Sequence, residues 1–148
     1  MNVELNAENK ILSVQQEITF FNQSNDTINS IVLNDWNNAY SDKNTPLGKR
    51  FSDEFVRSFH LATEKERGNT NTITIIDNSK SLLSWNRPKG FPDLIEFQLK
   101  NKLLPGQKAT FILSYFVKVP DDKFTKYGYN SIGEIALKDW FLTPSIYK

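Results

Sequence analysis

The sequence predicts an all-β domain: an antiparallel β-sandwich or a saddle-shaped curved sheet, carrying one inserted amphipathic helix. Three observations predict it. Apolar residues alternate with a period of two over segments of strand length, turn-forming residues separate those segments, and only one stretch has helical spacing.

The first strand runs from Leu12 to Phe20. Leu12, Val14, Gln16, Ile18 and Phe20 take one phase, and Ser13, Gln15, Glu17 and Thr19 the other, as in a half-buried strand. Asn22 to Asp26 is a cluster of short polar side chains that bond their own backbone in turns. Thr27 to Leu33 then supplies a second, β-branched strand, and the two read as a hairpin with a longer loop.

Asp35 to Lys49 is polar and turn-rich, and it leads into the helix, which lies within an insertion of about 46–68. Ser52 caps it, Asp53 and Glu54 favour its positive first turn, and Phe51, Phe55 and Phe59 recur at a spacing of four. It fades near Glu66, with Gly68 as terminator.

Four more strands follow at Thr72 to Ile76, Leu82 to Trp85, Leu94 to Leu99 and Ala109 to Val117. The last is apolar in both phases, which makes it a central strand. Arg87-Pro88-Lys89-Gly90-Phe91-Pro92 and Leu104-Pro105-Gly106 are the turns between them.

Composition fits a single domain over residues 1–148. The chain is 39% hydrophobic with 11 Phe, 5 Tyr and 3 Trp, enough large rings to build a core and to argue against disorder. Eighteen Lys and Arg balance 17 Asp and Glu for a net charge of +1. With no long run of like charge, nucleic acid is not the expected partner.

The absence of cysteine excludes disulfides, thiolate metal sites and cysteine nucleophiles. No apolar run approaches the ~18 residues that a membrane-spanning helix needs. Met1-Asn2-Val3-Glu4-Leu5 shows no signal region, and localisation stays open. The apolar ending from Trp140 to Lys148 suits a chain that continues, with a domain incomplete at Lys148.

No residue set composes an active site. His60 is the only histidine, so a zinc-binding histidine pair cannot form within the chain, and beside the Phe51, Phe55, Phe59 face it reads as structural. Asp35, Asn37, Asn38, Asp42 and Asn44 offer the oxygen ligands calcium prefers. Their spacing lacks the glycine and terminal glutamate of a calcium loop, which favours a solvated or self-bonded loop. Asn22-Gln23-Ser24 and Asn25-Asp26-Thr27 match glycosylation acceptors, but with no signal region in view the turn explanation is preferred. Tyr127, Tyr129, Trp140 and Phe141 concentrate rings near the C-terminus and form the expected docking or binding surface.

The order of several segments resembles the aminopeptidase N family of gluzincin zinc metallopeptidases, in a bacterial branch of that family. The resemblance is carried by Val14-Gln15-Gln16-Glu17-Ile18-Thr19-Phe20, Ile31-Val32-Leu33-Asn34, Leu103-Leu104-Pro105-Gly106-Gln107 before a strand with Tyr115, and Trp140-Phe141-Leu142-Thr143-Pro144. It implies a non-catalytic N-terminal β domain that packs on a downstream catalytic domain and helps to wall its substrate cleft. It also implies zinc in that parent domain and no cofactor in this chain, because the family's His-Glu-x-x-His and Gly-x-Met-x-Asn motifs are missing from these residues. In relatives, the segment matching Gly133-Glu134-Ile135-Ala136 approaches the peptide N-terminus, which marks Glu134 as the candidate contact to an α-amino group. The alternative is a free-standing β-sandwich that binds glycan or protein through its C-terminal aromatics.

Overall fold

Two four-stranded antiparallel sheets enclose one apolar core in the computed structural model, which describes residues 1–6, 8–41, 47, 67–120, 128–129, 135–136 and 140–144. The chain runs through β1 (Asn2–Asn6), β2 (Ile11–Phe21), β3 (Ile28–Asn34), a 3-10 helix (Trp36–Tyr40), β4 (Asn69–Ile76) and β5 (Trp85–Asn86). It continues through β6 (Leu94–Leu103), β7 (Lys108–Lys118), β8 (Gly128–Tyr129), β9 (Ile135–Ala136) and β10 (Thr143–Pro144). One sheet has the order β1-β2-β7-β4 and the other β10-β3-β6-β5, while β8 and β9 pair with each other. The fold is the expected all-β sandwich. The expected helix from Ser52 to Glu66 lies outside the described residues.

The period-two pattern sets which side chains are buried. Leu12, Val14 and Gln16 of β2 point inward beside Leu113, Tyr115 and Val117 of β7, and β3 and β6 return Ile31, Leu33, Ile95 and Phe97 from the other sheet. Phe97 meets Phe111 edge to face across the core at 5.1 Å and 71°, a geometry that aromatic quadrupoles favour. Strand β7 is central, with β2 on one side and β4 on the other.

The expected hairpin of the first two strands does not form, because β2 and β3 enter different sheets. Asn22 is fully buried at the crossing. Its Nδ2 donates to the carbonyls of Asp26 at 2.8 Å and Leu103 at 3.0 Å, and its Oδ1 accepts from the Ser24 amide and hydroxyl. The Asn22 N–H also donates to the Gln107 carbonyl. The chain is thereby tied to the β6–β7 turn instead of folding back, while β1 and β7 occupy both edges of β2. In that turn Gly106 takes φ +82° after Pro105, the positive φ that position i+2 of a type II turn requires. Burial of Asn22 supports the turn reading of Asn22-Gln23-Ser24, since a buried amide presents nothing to glycosylate.

The expected strand from Leu82 to Trp85 is shortened. Leu82 makes a single bridge to Ile76 and β5 begins at Trp85, whose Nε1 donates to the Ile73 carbonyl of the facing sheet at 3.0 Å.

Gly68 opens β4 by close approach. A Cβ there would lie 2.8 Å from Pro120 Cδ, 3.0 Å from the Lys118 carbonyl oxygen and 3.1 Å from Asn37 Oδ1. Gly68→Ala should therefore destabilise the fold by about 1–2 kcal/mol through overpacking. Urea unfolding with an unchanged midpoint would show that the neighbours yield freely.

Among the described residues no helix is long and apolar enough to cross a membrane.

Candidate functional site

The segment that carries the C-terminal aromatics is fastened to the sandwich from beneath. Leu142 is fully buried, and Thr143 and Pro144 form β10 against Asn34 and Leu33 of β3. Two inward-facing polar side chains of the opposite sheet hold the backbone of Leu142. Gln16 Nε2 donates to its carbonyl at 2.8 Å, and its amide donates to the Tyr115 hydroxyl at 3.1 Å. The same hydroxyl donates to Gln16 Oε1 at 2.5 Å, so the two side chains and the backbone of one residue close a ring of three hydrogen bonds. Burial pushes the Tyr115 phenol well above its ordinary range, the Leu142 amide opposing, so it stays protonated and works as a donor within this clamp.

Above the clamp, Trp140 and Phe141 are both half-buried. Their rings meet edge to face at 5.4 Å and 74°, and Trp140 packs on the core cluster. Both rings thus keep part of their surface exposed while Trp140 gives part of its own to the core. Of Tyr129 only the backbone, in β8, is described, and Tyr127 and Glu134 lie outside the described residues.

A second polar node joins the 3-10 helix to β4 and the β5–β6 connection. Asp35 is 1% exposed and accepts from Thr70 Oγ1 at 2.6 Å and from Arg87 Nη2 at 2.9 Å. Arg87 Nη1 also donates to the Pro92 carbonyl at 2.7 Å, and its guanidinium lies 6.0 Å from the Trp85 ring centroid. Asn37 donates to the carbonyls of Asn69 and Lys118, and Asn38 to that of Pro92. The expected solvated or self-bonded loop is instead a buried bracket at these three residues, because Asn37 and Asn38 satisfy main-chain groups of three other segments and Asp35 bonds the side chains of Thr70 and Arg87. Burial raises the Asp35 carboxyl above its ordinary value despite the opposing bonds from Thr70 and Arg87. Asp42 and Asn44 lie outside the described residues, as does His60.

The sequence contained a sign of the clamp that the expectations above did not use. Gln16 occupies the apolar phase of β2, and a polar residue there must find a buried partner. Arg87 gave no such sign, since its turn segment reads as solvent-facing.

No family model, curated protein or solved structure matches the chain.

Proposed function

We propose that the chain is a non-catalytic N-terminal β domain of a zinc aminopeptidase-like protein, which packs on a downstream catalytic domain and helps to wall its substrate cleft. The observation that supports docking is the open side of the sandwich. Val3 and Leu5 of β1 pair with Val14 and Leu12 and share their inward phase, yet they remain 41% and 52% exposed. The other sheet places its edge strand β10 over β2 through the clamp, so nothing described covers β1. An uncovered apolar edge beside a firmly held aromatic segment suits a neighbouring domain. The resemblance supplies that neighbour's chemistry, and Glu134 is the candidate contact to a peptide N-terminus.

The test separates chain from parent. The purified chain should bind no stoichiometric zinc and cleave no aminoacyl reporter, and the reading frame beyond Lys148 should encode a His-Glu-x-x-His helix. Zinc held one-to-one and removed by a chelator would refute the assignment, as would a frame that stops.

The alternative, a free-standing binding module, is favoured by a different observation, the groove described next. The half-buried Trp140 and Phe141 support it less.

A further inference from the structure

A groove of about 500 Å³ crosses the outer face of the β1-β2-β7-β4 sheet. Its floor follows from register. Ser13 lies opposite Phe116, and Gln15 opposite Ser114, so two serines leave a depression between longer neighbours. Phe116 stands in this groove 40% exposed, on a central strand whose outer face is otherwise mainly polar there. The side chains of Ser13, Gln15, Thr74 and Ser114 hydrogen-bond no other described residue, so their donors and acceptors are spare.

The wall beside Phe116 is a strained bulge. Asn71 pairs with Phe116 and Thr74 with Ser114, so β4 carries one extra residue across this step. The insertion brings Thr70 and Ile73 both to the core side, which an unbroken strand could not do. Phase alone does not explain the residue chosen. Thr72 has φ +53°, a region that a β-branched side chain rarely enters and a glycine would enter freely. Its Oγ1 lies 3.0 Å from Asn71 Oδ1, while Asn71 Nδ2 donates to Asn69 Oδ1 at 2.6 Å. The strain thus sets a row of ordered polar groups next to the ring, as strained residues do at ligand sites.

We propose that this groove binds a neutral oligosaccharide, with one sugar ring stacked on Phe116 and its hydroxyls bonded by the polar side chains around it. A pyranose presents a flat C–H face and a rim of hydroxyls. The negative face of the phenyl ring attracts the first, and spare hydroxyl and amide groups take the second. Charge selects among ligands. The groove is lined by no Lys or Arg and carries one carboxylate, Glu4, so phosphate- or sulfate-bearing chains are disfavoured. This inference is independent of the aminopeptidase reading, because that reading is tested by zinc and reading frame and this one by sugar.

The experiment titrates the full chain with hexasaccharides of cellulose, amylose, xylan, mannan and chitin and with a sulfated heparin hexasaccharide, by calorimetry and amide chemical-shift mapping. At least one neutral sugar should bind, with shifts centred on Ser13, Asn71, Ser114 and Phe116. Phe116→Ala should weaken it about tenfold or more at an unchanged melting temperature, and Phe116→Tyr should retain it. Ser114→Arg, which fills the groove beside the ring, should also abolish binding. The proposal is overturned if no neutral sugar binds at about 10 mM, if Phe116→Ala binds like the parent chain, or if only the sulfated sugar binds.

Discussion

Replacing Arg87 with Met should cost about 3 kcal/mol at neutral pH, and progressively less as the solution is acidified. The substitution keeps the side chain's aliphatic stem and leaves the Asp35 carboxylate, 1% exposed, without its counter-charge. An uncompensated buried charge is worth several kcal/mol; the lower part of that range applies because Arg87 itself keeps 22% exposure. Asp35 has an escape, which is to take up a proton. Its folded-state pKa is already raised by burial, and removing Arg87 removes two of the influences that lower it, so in the variant it rises further.

A carboxyl raised in this way contributes stability that is fully present below its unfolded value of 3.8 and is lost as pH rises through the folded value. The deficit of Arg87→Met relative to the parent should therefore open as pH climbs out of the ordinary carboxylate range and be complete above the variant's raised pKa. Part of the penalty stays constant, since the carbonyls of Pro92 and Thr70 also lose a donor. Urea unfolding from about pH 4 to about pH 7.5 measures both parts. A penalty of equal size throughout would mean that Arg87 acts through those carbonyls and Trp85 alone.

How this node escaped a reading of the sequence is a matter of distance along the chain. Asp and Asn look the same whether they face water or bracket main-chain groups. The partners that decide between the two, Thr70 and Arg87, stand 35 and 52 residues from Asp35. The β2–β3 crossing hides for the same reason, since Asn22-Gln23-Ser24-Asn25-Asp26 suits a hairpin loop equally well until Asn22 reaches Leu103, 81 residues on. Alternation, by contrast, is local. In β2 and β7 it fixed burial almost residue by residue, and the strength of both phases in β7 marked it as central. Strands of two residues, such as β5 and β10, are too short to show any period, and β1 is hidden by the exposure of every residue in it. The groove combines both cases. Its outward phase could be read, but the pairing of Ser13 with Phe116 and the bulge at Thr72 required the register.

Tyr115→Phe should destabilise the fold by about 3 kcal/mol, more than the removal of one hydroxyl from an exposed tyrosine would suggest. The phenol closes the clamp on Leu142, so its loss orphans two buried groups, Gln16 Oε1 and the Leu142 N–H, each costing about 1–3 kcal/mol in desolvation without a partner. The phenyl ring remains and no large cavity opens, which separates this effect from simple core truncation. Two readouts identify the mechanism. Amide exchange at Leu142 and β10 should quicken more than exchange at β6, because the hydroxyl fastens that segment and not the centre of the sandwich. The alkaline limb should change as well. A phenol whose folded pKa is raised contributes stability that is fully present below its unfolded value of 10.0 and lost as pH rises through the folded value, so the parent chain should weaken as pH climbs from 10.0 towards the folded value while Tyr115→Phe lacks that contribution. If the variant kept the parent's alkaline decline and its slow exchange at Leu142, the clamp would not be what holds the aromatic segment.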